Sequence, residues 1–133
     1  MIRMTAVLLL FACNAPAPGP VPCAVLNEGA LQDPNVYDTT EVNPTPRVTF
    51  SPKPNYPSDL QVGRVSGQVW FEFIVDHSGA IERGSFRLIS STDPRFTEAA
   101  TPTMLATRFC PGVRAGMPVR TRVRRAVTFR IGT

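Results

Sequence analysis

A chain of 133 residues with 14 Lys+Arg, 10 Asp+Glu and a net charge of +4 has room for one compact domain. Nine of its 14 prolines fall between positions 14 and 55, so even one domain does not fill the length, and a hydrophobic core has to come from residues 56–133. Residues 14–55 hold two basic and four acidic side chains and residues 56–133 hold eleven and six; that basic excess suits an anionic partner and plain solubility equally.

In chain order the first element is a signal peptide over residues 1–12. Arg3 precedes the apolar run from Ala6 to Ala12, the basic-then-apolar order of a secretory signal. The run is shorter than the roughly 20 apolar residues a membrane helix needs, and alternating prolines follow it. Leu10-Phe11-Ala12-Cys13 resembles a bacterial lipoprotein box, in which a small residue precedes a cysteine that takes a lipid and becomes the mature first residue, although Phe11 is bulkier than that pattern usually has. The resemblance makes Cys13 the lipid-attachment residue, with acyl chains as anchor, and Asn14 in place of Asp points to the outer membrane. The alternatives are an ordinary cleaved signal with Cys13 a bystander, or a misplaced start that hides a longer helix in the inner membrane.

Residues 13–55 read as a flexible periplasmic tether. Asn14 to Pro22 is Asn-Ala-Pro-Ala-Pro-Gly-Pro-Val-Pro, which favours extended polyproline geometry and buries too little apolar surface to fold. At about 3.1 Å per residue such a spacer reaches on the order of 130 Å. With Cys13 lipidated, Cys23 and Cys110 are left in an oxidising compartment, either as a disulfide that pins the tether to the domain or as two free thiols.

From Tyr56 the pattern becomes periodic. Ser58 or Asp59 caps a short helix to about Arg64. Val69, Phe71, Phe73 and Val75 alternate with Gln68, Trp70, Glu72 and Ile74, the period of a strand with one buried face. Asp76-His77-Ser78-Gly79 predicts a type I turn closed by glycine, followed by a second strand through Ile81, Phe86 and Leu88 with an irregularity at Gly84. Thr92 or Asp93 caps a helix that begins at Pro94 and carries Phe96, Ala100 and Met104 on one face; Pro102 predicts a kink or a restart. A long third strand runs from Met117 to Ile131. Val119, Val123, Val127, Phe129 and Ile131 share one side and Arg120, Arg122, Arg124 and Arg130 the other, with Arg125 out of phase at a bulge. The fold class is α+β, order α-β-β-α-β, with an antiparallel three-stranded sheet packed against helices.

Tyr56-Pro57, Gly67-Gln68-Val69 leading to Phe73-Ile74-Val75-Asp76, Gly79, Ser90-Ser91, Phe96, Phe109-Cys110-Pro111, Gly116-Met117-Pro118-Val119 and Val127-Thr128-Phe129 together resemble the TonB C-terminal domain family over residues 56–131. The resemblance implies a periplasmic domain that takes part in energy-coupled transport across the envelope. It links an inner-membrane, proton-driven motor to TonB-dependent outer-membrane receptors and grips an extended receptor segment beside its last strand. An edge strand offers unpaired N–H and C=O groups to such a segment. On this reading Arg120, Arg122, Val123 and Arg124 line the contact; the alternative is that the arginines guard an edge against aggregation. Exposed edges also allow a homodimer.

Nothing in the pattern points to an enzyme. His77 is the only histidine and sits in a turn with no metal-ligand spacing around it, Ser90 and Ser91 lack a nucleophile-elbow setting, and Glu72 and Glu82 read as strand-surface charges. No cofactor is implied, and an exported chain does not meet nucleic acid. The competing reading is a structural envelope lipoprotein whose basic strand face holds lipopolysaccharide or cell wall.

Overall fold

The structure is a computed structural model that describes Cys23 and residues 33–132. In chain order its elements are β1 (Val36–Asp38), a 3-10 turn (Thr39–Glu41), β2 (Arg47–Phe50), α1 (Ser58–Val62), β3 (Gly67–Val75), a 3-10 turn (Arg83–Ser85), β4 (Arg87–Ser91), α2 (Pro94–Ala106), β5 (Arg108–Cys110), β6 (Gly112–Arg114) and β7 (Met117–Phe129). Among the described residues these make a five-stranded sheet in the order β1-β7-β3-β4, with β6 paired to β7, and a two-stranded ribbon of β2 and β5. A sheet and two helices are present as expected, but the sheet is not the three-stranded antiparallel one. The sheet is mixed, because β1 runs parallel to β7 while β3 and β6 run antiparallel to it, and the extra short strands lengthen the element order.

The alternation in β3 does what its period dictates. Val69, Phe71, Phe73 and Val75 are fully buried, and they pack with Phe96, Ala100 and Met104 of α2 and with Val123, Val127 and Phe129 of β7. Phe96 stacks on Phe129 at 4.6 Å between centroids, and Tyr56 meets both rings edge-on at 5.7 and 5.5 Å. Burying side chains of this size stabilises the fold by about 1.5–3 kcal/mol each.

Local chemistry accounts for most element boundaries. Asp93 caps α2, its side chain accepting from the Arg95 backbone N–H at 2.8 Å, and Pro94 occupies the first helical position. The restart expected as one alternative at Pro102 does not occur: one helix runs from Pro94 to Ala106 with Pro102 inside it. Pro102 lies on the exposed face, as does Glu98 one turn earlier, so the carbonyl deprived of its helical partner faces water instead of the core. At α1 the cap is Pro57, with no side-chain hydrogen bond from Ser58 or Asp59. The second strand is divided: Ile81 forms a bridge to Val75, the turn at Arg83–Ser85 interrupts the ladder around Gly84, and β4 begins at Arg87. No bulge occurs at Arg125. It stands in regular register opposite Phe71, and the register is unbroken from Thr121 to Phe129.

The spacer expected through residue 55 includes two short strands in its second half, Val36–Asp38 and Arg47–Phe50. β1 lies on β7, and β2 pairs with β5 at Arg47↔Cys110 and Val48↔Phe109. Composition pointed to an unfolded spacer because these segments bury little by themselves, yet an edge supplied by another part of the chain satisfies their backbone groups. Cys23 and Cys110 are joined by a disulfide, Cα atoms 5.2 Å apart, which brings Cys23 onto the domain. The proline-rich stretch before it, the expected signal peptide over residues 1–12 and Cys13 fall outside the described residues. Among the described residues, no helix is long and apolar enough to cross a membrane.

Gly79 closes the β3 turn at φ +86, with its N–H donating to the Asp76 carbonyl and its own carbonyl accepting from the Phe109 N–H. A Cβ there would sit 1.8 Å from the Phe109 carbonyl oxygen. Gly79→Ala is expected to lower the unfolding free energy by about 2–4 kcal/mol in urea titrations, from left-handed strain plus displacement of β5. A loss below roughly 0.5 kcal/mol would show that this approach is not maintained in solution.

Candidate functional site at the edge of the last strand

β7 has two edges and two faces, and all four are used differently. One edge carries β3 from Thr121 to Phe129. The other carries β1 only at Arg120–Arg122; beyond it, no strand among the described residues pairs with that edge from Val123 to Phe129. The core face presents Val119, Thr121, Val123, Val127 and Phe129, all buried. The opposite face presents Arg120, Arg122 and Arg124, because residues two apart in a strand point the same way.

Each of those arginines meets a carboxylate of a neighbouring element. Arg124 Nε donates to Glu72 Oε2 at 2.7 Å, and Arg87 donates to Glu72 Oε1 from Nε at 2.9 Å and also from Nη2. Glu72 is 5% exposed, so without these partners its charge would be costly to bury. The Arg124 hydrogen bond, helped by that from Arg87, outweighs desolvation and holds the Glu72 carboxyl below the ordinary carboxylate range. Arg120 forks onto Glu82 at 2.7 and 2.8 Å, which raises its own pKa, and it also donates to the Pro34 carbonyl at 2.7 Å. Arg122 Nη1 lies 3.9 Å from Asp38 Oδ1.

The segment before β2 is held onto this edge residue by residue. The His77 Nε2 and the Asp33 carbonyl oxygen are 3.1 Å apart, Tyr37 donates its hydroxyl to Asp33 Oδ2 at 2.6 Å, and the Arg114 guanidinium sits 4.6 Å over the Tyr37 ring. The Tyr37 hydrogen bond lowers the Asp33 pKa and raises that of Tyr37. Asp38 ends β1: its backbone N–H donates to Glu41 Oε2 at 2.9 Å, a capping box that starts the 3-10 turn and carries the chain off the edge. Where the chain leaves, an open groove of about 890 Å³ lies over Asp38, Thr40, Glu72, Arg87, Arg122 and Arg124.

The model of a family described as Gram-negative bacterial TonB protein C-terminal matches residues 52–131, more than half of the chain. The chain belongs to this TonB C-terminal family. Among solved structures, this TonB-family domain is similar to the solution NMR structure of the Pseudomonas aeruginosa TonB C-terminal domain, with a TM-score of 0.55 and 22% identity. The likeness covers 68% of this chain and 91% of that one, and shows a shared fold. No curated protein sequence matches the chain.

In this TonB-family domain the expected contact residues divide. Arg120, Arg122 and Arg124 stand together on one face of β7, as the alternation predicts, but in ion pairs instead of as free cations. Val123 is 9% exposed and packs into the core, so only its backbone reaches the edge. Glu72 and Glu82, read from the sequence as surface charges, are the arginines' partners. The signal for Glu72 lay in the ladder, since it stands directly across from Arg124 on one side and Arg87 on the other. Asp33, Tyr37 and Asp38 were missed because the segment was assigned to the spacer. Among the described residues no group of three or more His, Cys, Asp or Glu is placed to hold a metal ion.

A lowered carboxylate pKa stabilises the fold above the ordinary carboxylate range, and the contribution disappears as pH falls through the folded-state value. Glu72→Gln is therefore expected to melt at a lower temperature than the parent near pH 7, with the difference closing as the pH is taken down to about 3. A constant gap across that range would mean that the ion pairs do not set the Glu72 contribution.

Proposed function

We propose that this domain grips an extended segment of a TonB-dependent outer-membrane receptor by strand addition along the outer edge of β7, as part of energy-coupled transport across the cell envelope. The observation that carries the reading is the edge itself: it accepts a strand at Arg120–Arg122 and is unpaired from Val123 to Phe129 among the described residues. A peptide laid there gains main-chain hydrogen bonds regardless of its sequence, while the row of side chains on the arginine face sets selectivity. Membership in the TonB C-terminal family supports the same role and agrees with a binding module in place of an enzyme. The Cys23–Cys110 disulfide suits an oxidising compartment, as the periplasm is. Lipid attachment at Cys13 as the anchor, and coupling to an inner-membrane motor, belong to the same proposal.

Capture of anionic polymer on the basic face is the weaker reading. The arginines of that face already meet Glu82, Asp38 and Glu72, so the strand offers a polyanion few free positive charges.

A synthetic peptide from the amino-terminal segment of a TonB-dependent receptor, titrated against the full chain by NMR, is expected to shift backbone amides of Val123–Phe129. Binding should persist when salt is raised to about 0.3 M, where exposed charge contacts are screened, and should weaken at least about tenfold when a central peptide residue is proline. Shifts confined to arginine side chains and abolished by salt would support polymer capture and sink strand addition.

A further inference from the structure

The β7 edge is partly taken already, and by the chain itself. Val36, Tyr37 and Asp38 pair in parallel with Arg120, Thr121 and Arg122, the positions at which a partner strand would begin. This pairing is held by contacts specific to the segment: Arg120 to the Pro34 carbonyl, His77 to the Asp33 carbonyl, Arg114 over the Tyr37 ring and Arg122 toward Asp38. It is also cut short. The Asp38–Glu41 capping box turns the chain away, so the rest of the edge to Phe129 is left to another strand.

The segment's attachment suits an occupant that leaves and returns. Cys23 is bonded to Cys110 by the disulfide, and Arg47 is the strand partner of the same Cys110. Cys23 and Arg47, which precede and follow β1 in the chain, are therefore both fastened at Cys110. With Cys23 and Arg47 both held there, β1 that leaves the edge stays tethered beside it, at an effective concentration in the millimolar range or above.

We infer that Val36–Asp38 is a strand supplied in cis that fills the partner slot of β7, and that a trans segment binds by displacing it in the same parallel register. This rests on the strand-addition reading of the edge. The cis strand wins by proximity. A trans strand free of the turn at Thr39–Glu41 wins by continuing along Val123–Phe129 and gaining the ladder bonds that the cis strand cannot reach. The slot also defines the chemistry of its partner: an extended segment with an aromatic residue opposite Thr121, where Arg114 covers it, followed by an acidic residue opposite Arg122. Apparent affinity for any such segment is reduced by the fraction of time the cis strand occupies the slot.

The test uses the full chain and a capped synthetic peptide with the sequence of residues 33–41 as probe. In Tyr37→Pro a proline replaces the central residue of the cis strand. The peptide is expected to bind this variant at least about tenfold more tightly than the parent, with shifts at Arg120–Arg124. A peptide carrying Asp38→Asn should bind the variant more weakly than the parent peptide. If proline unfolds the domain, seen as lost amide protection in β3, Val36→Gly/Tyr37→Gly weakens the strand with less disturbance and should show the same gain. Equal peptide affinity for the parent and the folded variant would overturn the inference, as would shifts that map away from β7. Because the probe is the chain's own segment, either result is independent of whether a receptor peptide binds, which tests the function proposed above.

Discussion

The antiparallel ladder joining Gly67–Val75 to Thr121–Phe129 places every other part of this domain. It sets the apolar residues of β3 and β7 on one face, where α2 closes over them, and so commits the opposite face to Trp70, Glu72 and Ile74 beside the arginines of β7. Because β7 extends past the end of β3 toward Met117, it also has length to spare for β6, and its outer edge remains available for β1. A one-residue slip in this ladder would exchange the two faces and put arginines in the core.

Charge in this domain works through placement more than through attraction at a distance. Glu72 is buried and would destabilise the sheet unpaired, but Arg87 and Arg124 reach it from the strands on either side and tie three strands together across one face. Glu82 does similar work at the hairpin end, drawing Arg120 into a position from which it also holds the Pro34 carbonyl. The three arginines on the outward face of β7 are thus all in ion pairs, and what distinguishes the edge is the geometry of its backbone and the residues that flank it.

A free strand edge is a liability in water, since it invites pairing with any extended chain. This domain covers part of that edge with a segment of its own, and among the described residues the remainder is unpaired. Cys110 is the point that makes the arrangement possible: it ends β5, pairs with Arg47 and holds Cys23. The neighbouring Phe109 packs in the core and receives the tight turn at Gly79, so the loop that carries β1 is fastened to one of the best-buried parts of the fold.

The sequence by itself determined the elements whose signals are local. The period-2 pattern of Val69 to Val75, the glycine turn, the Asp93-Pro94 start of α2 and the alternating valines and arginines of β7 each follow from residues within one element. Only tertiary structure decided the rest. β1, β2, β5 and β6 are three or four residues long, too short for a period, and β1 and β2 exist because a distant edge satisfies their backbone groups. Pro102 is tolerated because its carbonyl partner faces water, a matter of which side of α2 meets the sheet. Whether Arg124 is a free cation or the partner of a buried carboxylate depends on register between strands some fifty positions apart. Periodicity reports which way a side chain points; what it meets there is set by the packing of elements remote in the chain.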